Sequence, residues 1–173
     1  MKPPFHLKQN VAFAAFEGAV AKLASQHESF QTPPLALEII DGFLALVPAG
    51  PCIAMENLAT DCVKQLDDFR APPGPEELQR RRAKGLSDLQ EQLLVKWGYP
   101  YVLEEFRFHI TLTDKLADGQ AEWVWALAKE HFATLLGTPL VVDAISLMRE
   151  PGESDDFVIH QRCPLVWKNL KAA

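Results

Sequence analysis

The chain has 173 residues, enough to bury a core as one domain or as two small lobes, and its 48% hydrophobic and 23% charged content suits a folded globular protein rather than a disordered one. Its 17 basic and 23 acidic residues leave a net charge of −6, which argues against long nucleic acid as a partner, because that binding needs many Lys and Arg to neutralise phosphates. The opening MKPPFHLKQN lacks the apolar run of a signal peptide, and no stretch is long and pure enough to span a bilayer, so no membrane partner is expected.

From the N-terminus, Gln9 to His27 reads as a helix, since Ala12, Phe16, Ala19 and Leu23 recur at three- and four-residue spacing; Pro33-Pro34 ends it. Leu35–Ile40 and Phe43–Val47 flank Asp41-Gly42, a dipeptide that favours the tight turn of a β-hairpin. Cys52 to Phe69 reads as a second helix with Leu58, Cys62, Leu66 and Phe69 on one side. The run from Arg70 to Pro75 holds three prolines and a glycine and is the expected boundary between an N-terminal lobe, 1–70, and a C-terminal lobe, 71–173, of one domain. Glu76 to Trp97 is helical in two pieces around Gly85, with Ser87 and Gln90 spaced as a capping box. A turn at Gly98–Tyr101 precedes a strand over Glu105–Thr113. A helix over Gly119–Leu136 follows, then strands near Leu140–Leu147 and Phe157–Val166 joined by a Gly-Glu-Ser-Asp-Asp loop. This order predicts an α+β fold of antiparallel sheets packed with helices, in two lobes related by a rough two-fold.

Cys52, Cys62 and Cys163 form neither a Cys-x-x-Cys pair nor a zinc quartet, which suits reduced thiols in the cytoplasm. The Asp67-Asp68 and Asp155-Asp156 pairs lack a His or a third carboxylate at ligand spacing, so no metal is expected, and no other cofactor either.

The most informative segment is Phe106-Arg-Phe-His-Ile-Thr-Leu-Thr113. Strand alternation places Phe106, Phe108, Ile110 and Leu112 on one face and Arg107, His109, Thr111 and Thr113 on the other. A cation, an imidazole and two hydroxyls in a row suit a phosphate ester: imidazole moves protons near neutrality, Thr donates to phosphate oxygens, and Arg offers a charged fork. From alternation alone, a water-facing strand is the commoner origin of such a row. His27-Glu-Ser29 repeats the same tripeptide pattern but reads as a solvated helix end. His6 lacks a Thr two residues on, His131 and His160 read as structural or exposed, and Arg80-Arg81-Arg82 reads as a solvated helix face with Glu76 and Glu77 in reach. Tyr99 and Tyr101 read first as turn packing, with stacking on a base or sugar as the alternative.

FRFHITLT, preceded by KWGYPYV and followed by an acidic, Trp-containing helix, resembles the two-histidine phosphoesterase superfamily. More narrowly, together with GFLALVP, LATDCV, LDDFRAP and ELQRRRAKGL, it resembles the branch associated with phosphonate-utilisation operons, over essentially the whole chain. The resemblance implies two His-x-Ser/Thr strands facing each other across a cleft, one His acting as base and the other as acid, with the hydroxyls holding the phosphate. His109 and Thr111 match the second of these motifs and are the expected catalytic pair. Arg107, Thr113, Lys2 and Tyr101 are expected around a small phosphate-ester substrate. In the branch a Gly-Phe-His-x-Thr-Leu run leads into Lys-Pro-Pro-Phe; here Met1 precedes Lys2-Pro3-Pro4-Phe5, so the first motif is expected upstream of Met1 and the N-terminal lobe is expected to be incomplete. Apolar surface left by such a loss would favour self-association. Two non-enzymatic readings stay open: a domain that binds a phosphate ligand without turnover, and an interaction module.

Overall fold

The computed structural model describes residues 3–83, 85–152 and 156–168. In chain order the elements are α1 (Phe13–Ala24), β1 (Phe30–Ile40), β2 (Phe43–Pro48), α2 (Ile53–Gln65), α3 (Pro75–Arg82), α4 (Asp88–Trp97), β3 (Ile110–Thr111), α5 (Ala121–His131), β4 (Pro139–Val142), β5 (Ala144–Arg149) and β6 (Val158–Pro164). The named strands pair antiparallel throughout, and with the helices they make the chain α+β. Among the described residues no helix is long and apolar enough to cross a membrane. The chain divides into two compact units, each gathered from separated segments: unit 1 from Met1–Ser29, Glu56–Phe106 and Asp143–Ala173, and unit 2 from Phe30–Met55 and Arg107–Val142. Residues 1–70 thus contribute to both units, and so do residues 71–173.

Unit 2 is built on a four-stranded sheet in the order β3-β2-β1-β4. The Asp41-Gly42 turn sets its register, because both residues adopt positive φ (50° and 89°) and join Ile40 directly to Phe43. From there Glu38 pairs with Ala45 and Ala36 with Val47. β2 is one of the two inner strands, and its Leu44, Ala45, Leu46 and Val47 are all buried, so both of its faces are covered there. The expected helix-ending prolines instead lie inside β1. Pro33 and Pro34 have no N–H to give, and the β1–β4 register shifts between Gln31 and Pro34, the irregular kind of ladder position that tolerates proline. The apolar run near Leu140–Leu147 also differs from expectation. It is two strands, broken at Asp143, whose carboxylate takes a 2.5 Å hydrogen bond from Arg162 and whose carbonyl accepts from the Leu165 N–H.

Unit 1 packs α1 on the β5–β6 hairpin. Phe16, Val20 and Leu23 form the buried stripe of α1, at helical spacing, and Phe16 meets Phe5 and Phe69 ring to ring at 5.6 and 5.4 Å. Leu58 and Cys62 of α2, and Leu66 just past its end, are buried as expected, joined by Ala59 and Val63, while Phe69 is half-buried. The N-terminal segment runs antiparallel beside Phe69–Ala71, with Lys8 N–H donating to the Phe69 carbonyl and Ala71 N–H to the His6 carbonyl. α3 and α4 separate at Gly85, and Ser87 and Gln90 make both halves of the capping box. Gly98 then ends α4 in the left-handed conformation (φ 76°), and Val63, Leu93 and Val102 form a small core beneath Trp97 and Tyr99.

Candidate functional site

The His-x-Thr segment enters unit 2 at the edge of the sheet. Thr111 pairs with Ala45 and Ile110 with Leu46, and the Leu112 N–H donates to the Leu44 carbonyl at 2.8 Å. The strand is much shorter than the expected Glu105–Thr113. Leu103–Glu105 forms a 3-10 turn, and β2 ends in Pro48, which has no N–H with which to extend the ladder toward Arg107. Exposure still follows most of the predicted alternation: Phe106, Phe108 and Leu112 are half-buried, while Arg107, His109 and Thr111 are exposed. Ile110, 39% exposed, and Thr113, half-buried, depart from it.

Cross-strand register puts Thr111, Ala45 and Glu38 in one row on one face of the sheet. The small Ala45 side chain separates the Thr111 hydroxyl from the Glu38 carboxylate. Arg107 is ion-paired with Glu38, so the expected phosphate-binding cation already has a carboxylate partner. Glu38 is the residue that sequence reasoning passed over. The Asp-Gly turn made its place opposite Ala45 readable, but nothing local announced that β3 would add to β2.

His109 has a defined orientation. Its Nδ1 lies 2.8 Å from the Arg107 carbonyl oxygen. A carbonyl only accepts, so Nδ1 is the donor of this contact, and in the neutral imidazole Nε2 is the nitrogen that keeps the lone pair. Two residues on, the Thr111 hydroxyl is exposed. Thr113 has a different occupation: its Oγ1 accepts a 3.1 Å hydrogen bond from the Leu44 N–H, tying the end of β3 to the buried strand. Its hydroxyl proton is still free to be donated.

The remaining expected positions lie elsewhere. Lys2 lies outside the described residues. Tyr101 belongs to unit 1, where its ring meets Tyr99 edge to face at 5.6 Å. His27 is not the solvated helix end expected of it: its side chain is 16% exposed, with Nε2 3.0 Å from an Asp61 carboxylate oxygen, a contact between the end of α1 and α2. His160 is structural, held 2.6 Å from Glu17 and stacked edge-on against Phe13. Chemically, unit 2 therefore offers an imidazole, a hydroxyl donor two residues away and a cation–carboxylate pair, carried on the short edge strand β3 and the residues just before it, with β3 held by its pairing to buried β2.

Comparison with known proteins adds a family and two relatives. A family described as "Protein of unknown function (DUF1045)" matches residues 1–158. A protein of Janthinobacterium sp. (strain Marseille), named ribose 1,5-bisphosphate phosphokinase PhnN, is 36% identical over 182 residues, covering 98% of this chain and 40% of that protein. A protein of the same name from Laribacter hongkongensis (strain HLHK9) is 32% identical over 167 residues, covering 96% of this chain and 38% of its own length. The chain thus spans about 40% of the length of the curated relatives it matches. No solved structure matches. With residues 1–158 of its 173 matched, the chain belongs to the DUF1045 family.

Proposed function

We propose that this chain acts on a small phosphate ester, in phosphonate metabolism, as a phosphodiesterase-like hydrolase that uses His109 for acid–base catalysis. The observation that carries this reading is the Nδ1 contact of His109 with the Arg107 carbonyl, which directs the ring's other nitrogen, Nε2, to any reacting group, with the exposed Thr111 two residues on. In this reading Nε2 takes a proton from water as the oxygen attacks phosphorus, and Thr111 donates to a non-bridging phosphate oxygen. Arg107 supplies charge once the substrate competes with Glu38 for its guanidinium. The acid for the leaving oxygen falls to the first His-x-Thr strand that the family resemblance implies. The relatives' name refers to ribose 1,5-bisphosphate, which is itself a phosphate ester. Phosphoryl transfer from ATP has less support, because these 173 residues contain no Gly-x-x-x-x-Gly-Lys-Ser/Thr run.

The test is hydrolysis of a cyclic phosphodiester such as 2′,3′-cyclic AMP by the wild type and by His109→Ala. Loss of a proton-transfer group should slow turnover by about 10² or more. Thr111→Val should cost about tenfold, the worth of one hydrogen bond to a charged oxygen. Equal rates for wild type and His109→Ala overturn the proposal.

A further inference from the structure

We propose that unit 1 carries a site of its own: a pocket for the phosphate group of a small phosphosugar, formed by Arg80, Arg81, Tyr99 and Tyr101. The cavity is about 260 Å³ and is lined by these four residues and Pro100. No carboxylate lines it, although the chain as a whole carries a net charge of −6. Arg81 is paired with Glu77, so Arg80 is the uncompensated cation of the lining, a charge of opposite sign to the protein's net charge that an anion would find.

The three consecutive arginines of α3 go to different tasks. Arg82 is taken up by Glu91 through hydrogen bonds of 2.6, 3.0 and 3.1 Å. Arg81 donates from Nε and Nη2 to one oxygen of Glu77, and its guanidinium lies 4.5 Å from the centre of the Tyr99 ring. That arrangement fixes the group while leaving its Nη1 protons unused. Arg80 is exposed and has no hydrogen-bond or ion-pair partner among the described residues. An unpaired guanidinium next to a fixed one presents convergent donors of the kind that grip phosphate oxygens.

The tyrosine side of the pocket is preformed. Gly98 turns the chain at positive φ, Pro100 is buried, and Tyr99 packs on the Val63, Leu93 and Val102 core. Little ordering is therefore left to be done on binding. The two phenol groups can exchange hydrogen bonds with sugar hydroxyls, and the 37% exposed Tyr101 offers a ring edge or face to the sugar's C–H groups. The volume sets the size class. Pockets for drug-sized ligands run from about 300 to 1,000 Å³, so this one suits a phosphate with a single sugar ring rather than a whole nucleotide.

The proposal is independent of the role given to His109, and the experiment keeps the two apart. Ribose 5-phosphate, inorganic phosphate and AMP would each be titrated into the full chain by calorimetry. The same titrations follow with Arg80→Ala, Tyr101→Ala and His109→Ala. Arg80 is unpaired and exposed, so its loss leaves the fold intact. Saturable binding of ribose 5-phosphate is expected, weakened about tenfold by Arg80→Ala and about threefold or more by Tyr101→Ala. No saturable binding, or an affinity unchanged by Arg80→Ala, overturns the site. Binding lost in His109→Ala but kept in Arg80→Ala assigns the ligand to unit 2 and also overturns it. AMP or inorganic phosphate binding as tightly as ribose 5-phosphate overturns the phosphosugar class.

Discussion

At the residue scale, the contacts made by Thr113, Glu38 and Cys163 each set a measurable property. The Thr113 hydroxyl is the acceptor for the N–H of fully buried Leu44. Thr113→Val should cost about 1–2 kcal/mol by leaving that donor unmet, and Thr113→Ser should restore most of it; denaturant midpoints measure both. Glu38→Gln should change stability by less than about 0.5 kcal/mol, since both partners of the Arg107 pair are exposed. Under the proposed function the same change releases the Arg107 guanidinium, so KM for a phosphate ester should fall several-fold; an unchanged KM would remove Arg107 from substrate binding. Burial pushes the Cys163 thiol above its ordinary range. Its neutral form is thus favoured in the folded state, and that contribution is complete below the unfolded thiol's range and is lost as pH rises through the raised value. With Ellman's reagent at pH 8, half-buried Cys52 should react first and Cys163 only on unfolding. The exposure of Arg107, His109 and Thr111 was legible in the sequence from alternation, although only Thr111 of the three lies in β3. The Arg107–Glu38 pair was not, because its partners are 69 residues apart.

At the element scale, the most local signals were the most faithful. Ser87 and Gln90 lie three residues apart, and the capping box they form satisfies backbone donors within that one turn. Ser87→Ala should destabilise α4 by about 1 kcal/mol and speed amide exchange at Gln90, whose N–H loses its acceptor. Gly98 ends the same helix at φ 76°, and a Cβ there would lie 2.7 Å from Arg70 Nη1. Arg70 has little room to retreat, since Asp67 holds its Nε and Nη2 and the Lys96 carbonyl accepts from Nη2. Gly98→Ala should therefore cost more than the roughly 1 kcal/mol of an unfavourable φ alone, as thermal unfolding would show. β1, β3 and the β4–β5 pair departed from their sequence pattern for a shared reason. Strand limits are set by the partner strand's available N–H and C=O groups, and Pro48, Asp143 and the Gln31–Pro34 irregularity act on that partnership rather than on local preference.

At the scale of the whole molecule, the chain returns to each unit after long excursions. The unit 2 sheet takes β1 and β2 from residues before 70 and β3 and β4 from residues after it. Fragments 1–70 and 71–173, made separately, should each lack a cooperative unfolding transition, and mixing them should restore one. A fragment that unfolds cooperatively by itself would show that the sheet needs fewer strands than it has.

The sequence by itself determined the α+β class, the Asp-Gly hairpin, the two-piece helix around Gly85 and the exposure of Arg107, His109 and Thr111. These depend on periodicity, turn chemistry and caps, which act over a few residues. Only the tertiary structure decided that β3 adds to the edge of β2, that Arg107 meets Glu38, and that Arg80 and Arg81 share a pocket with Tyr99 and Tyr101. Those contacts join segments far apart in the chain. They depend on which exposed edges and half-buried faces find each other, which no local preference encodes.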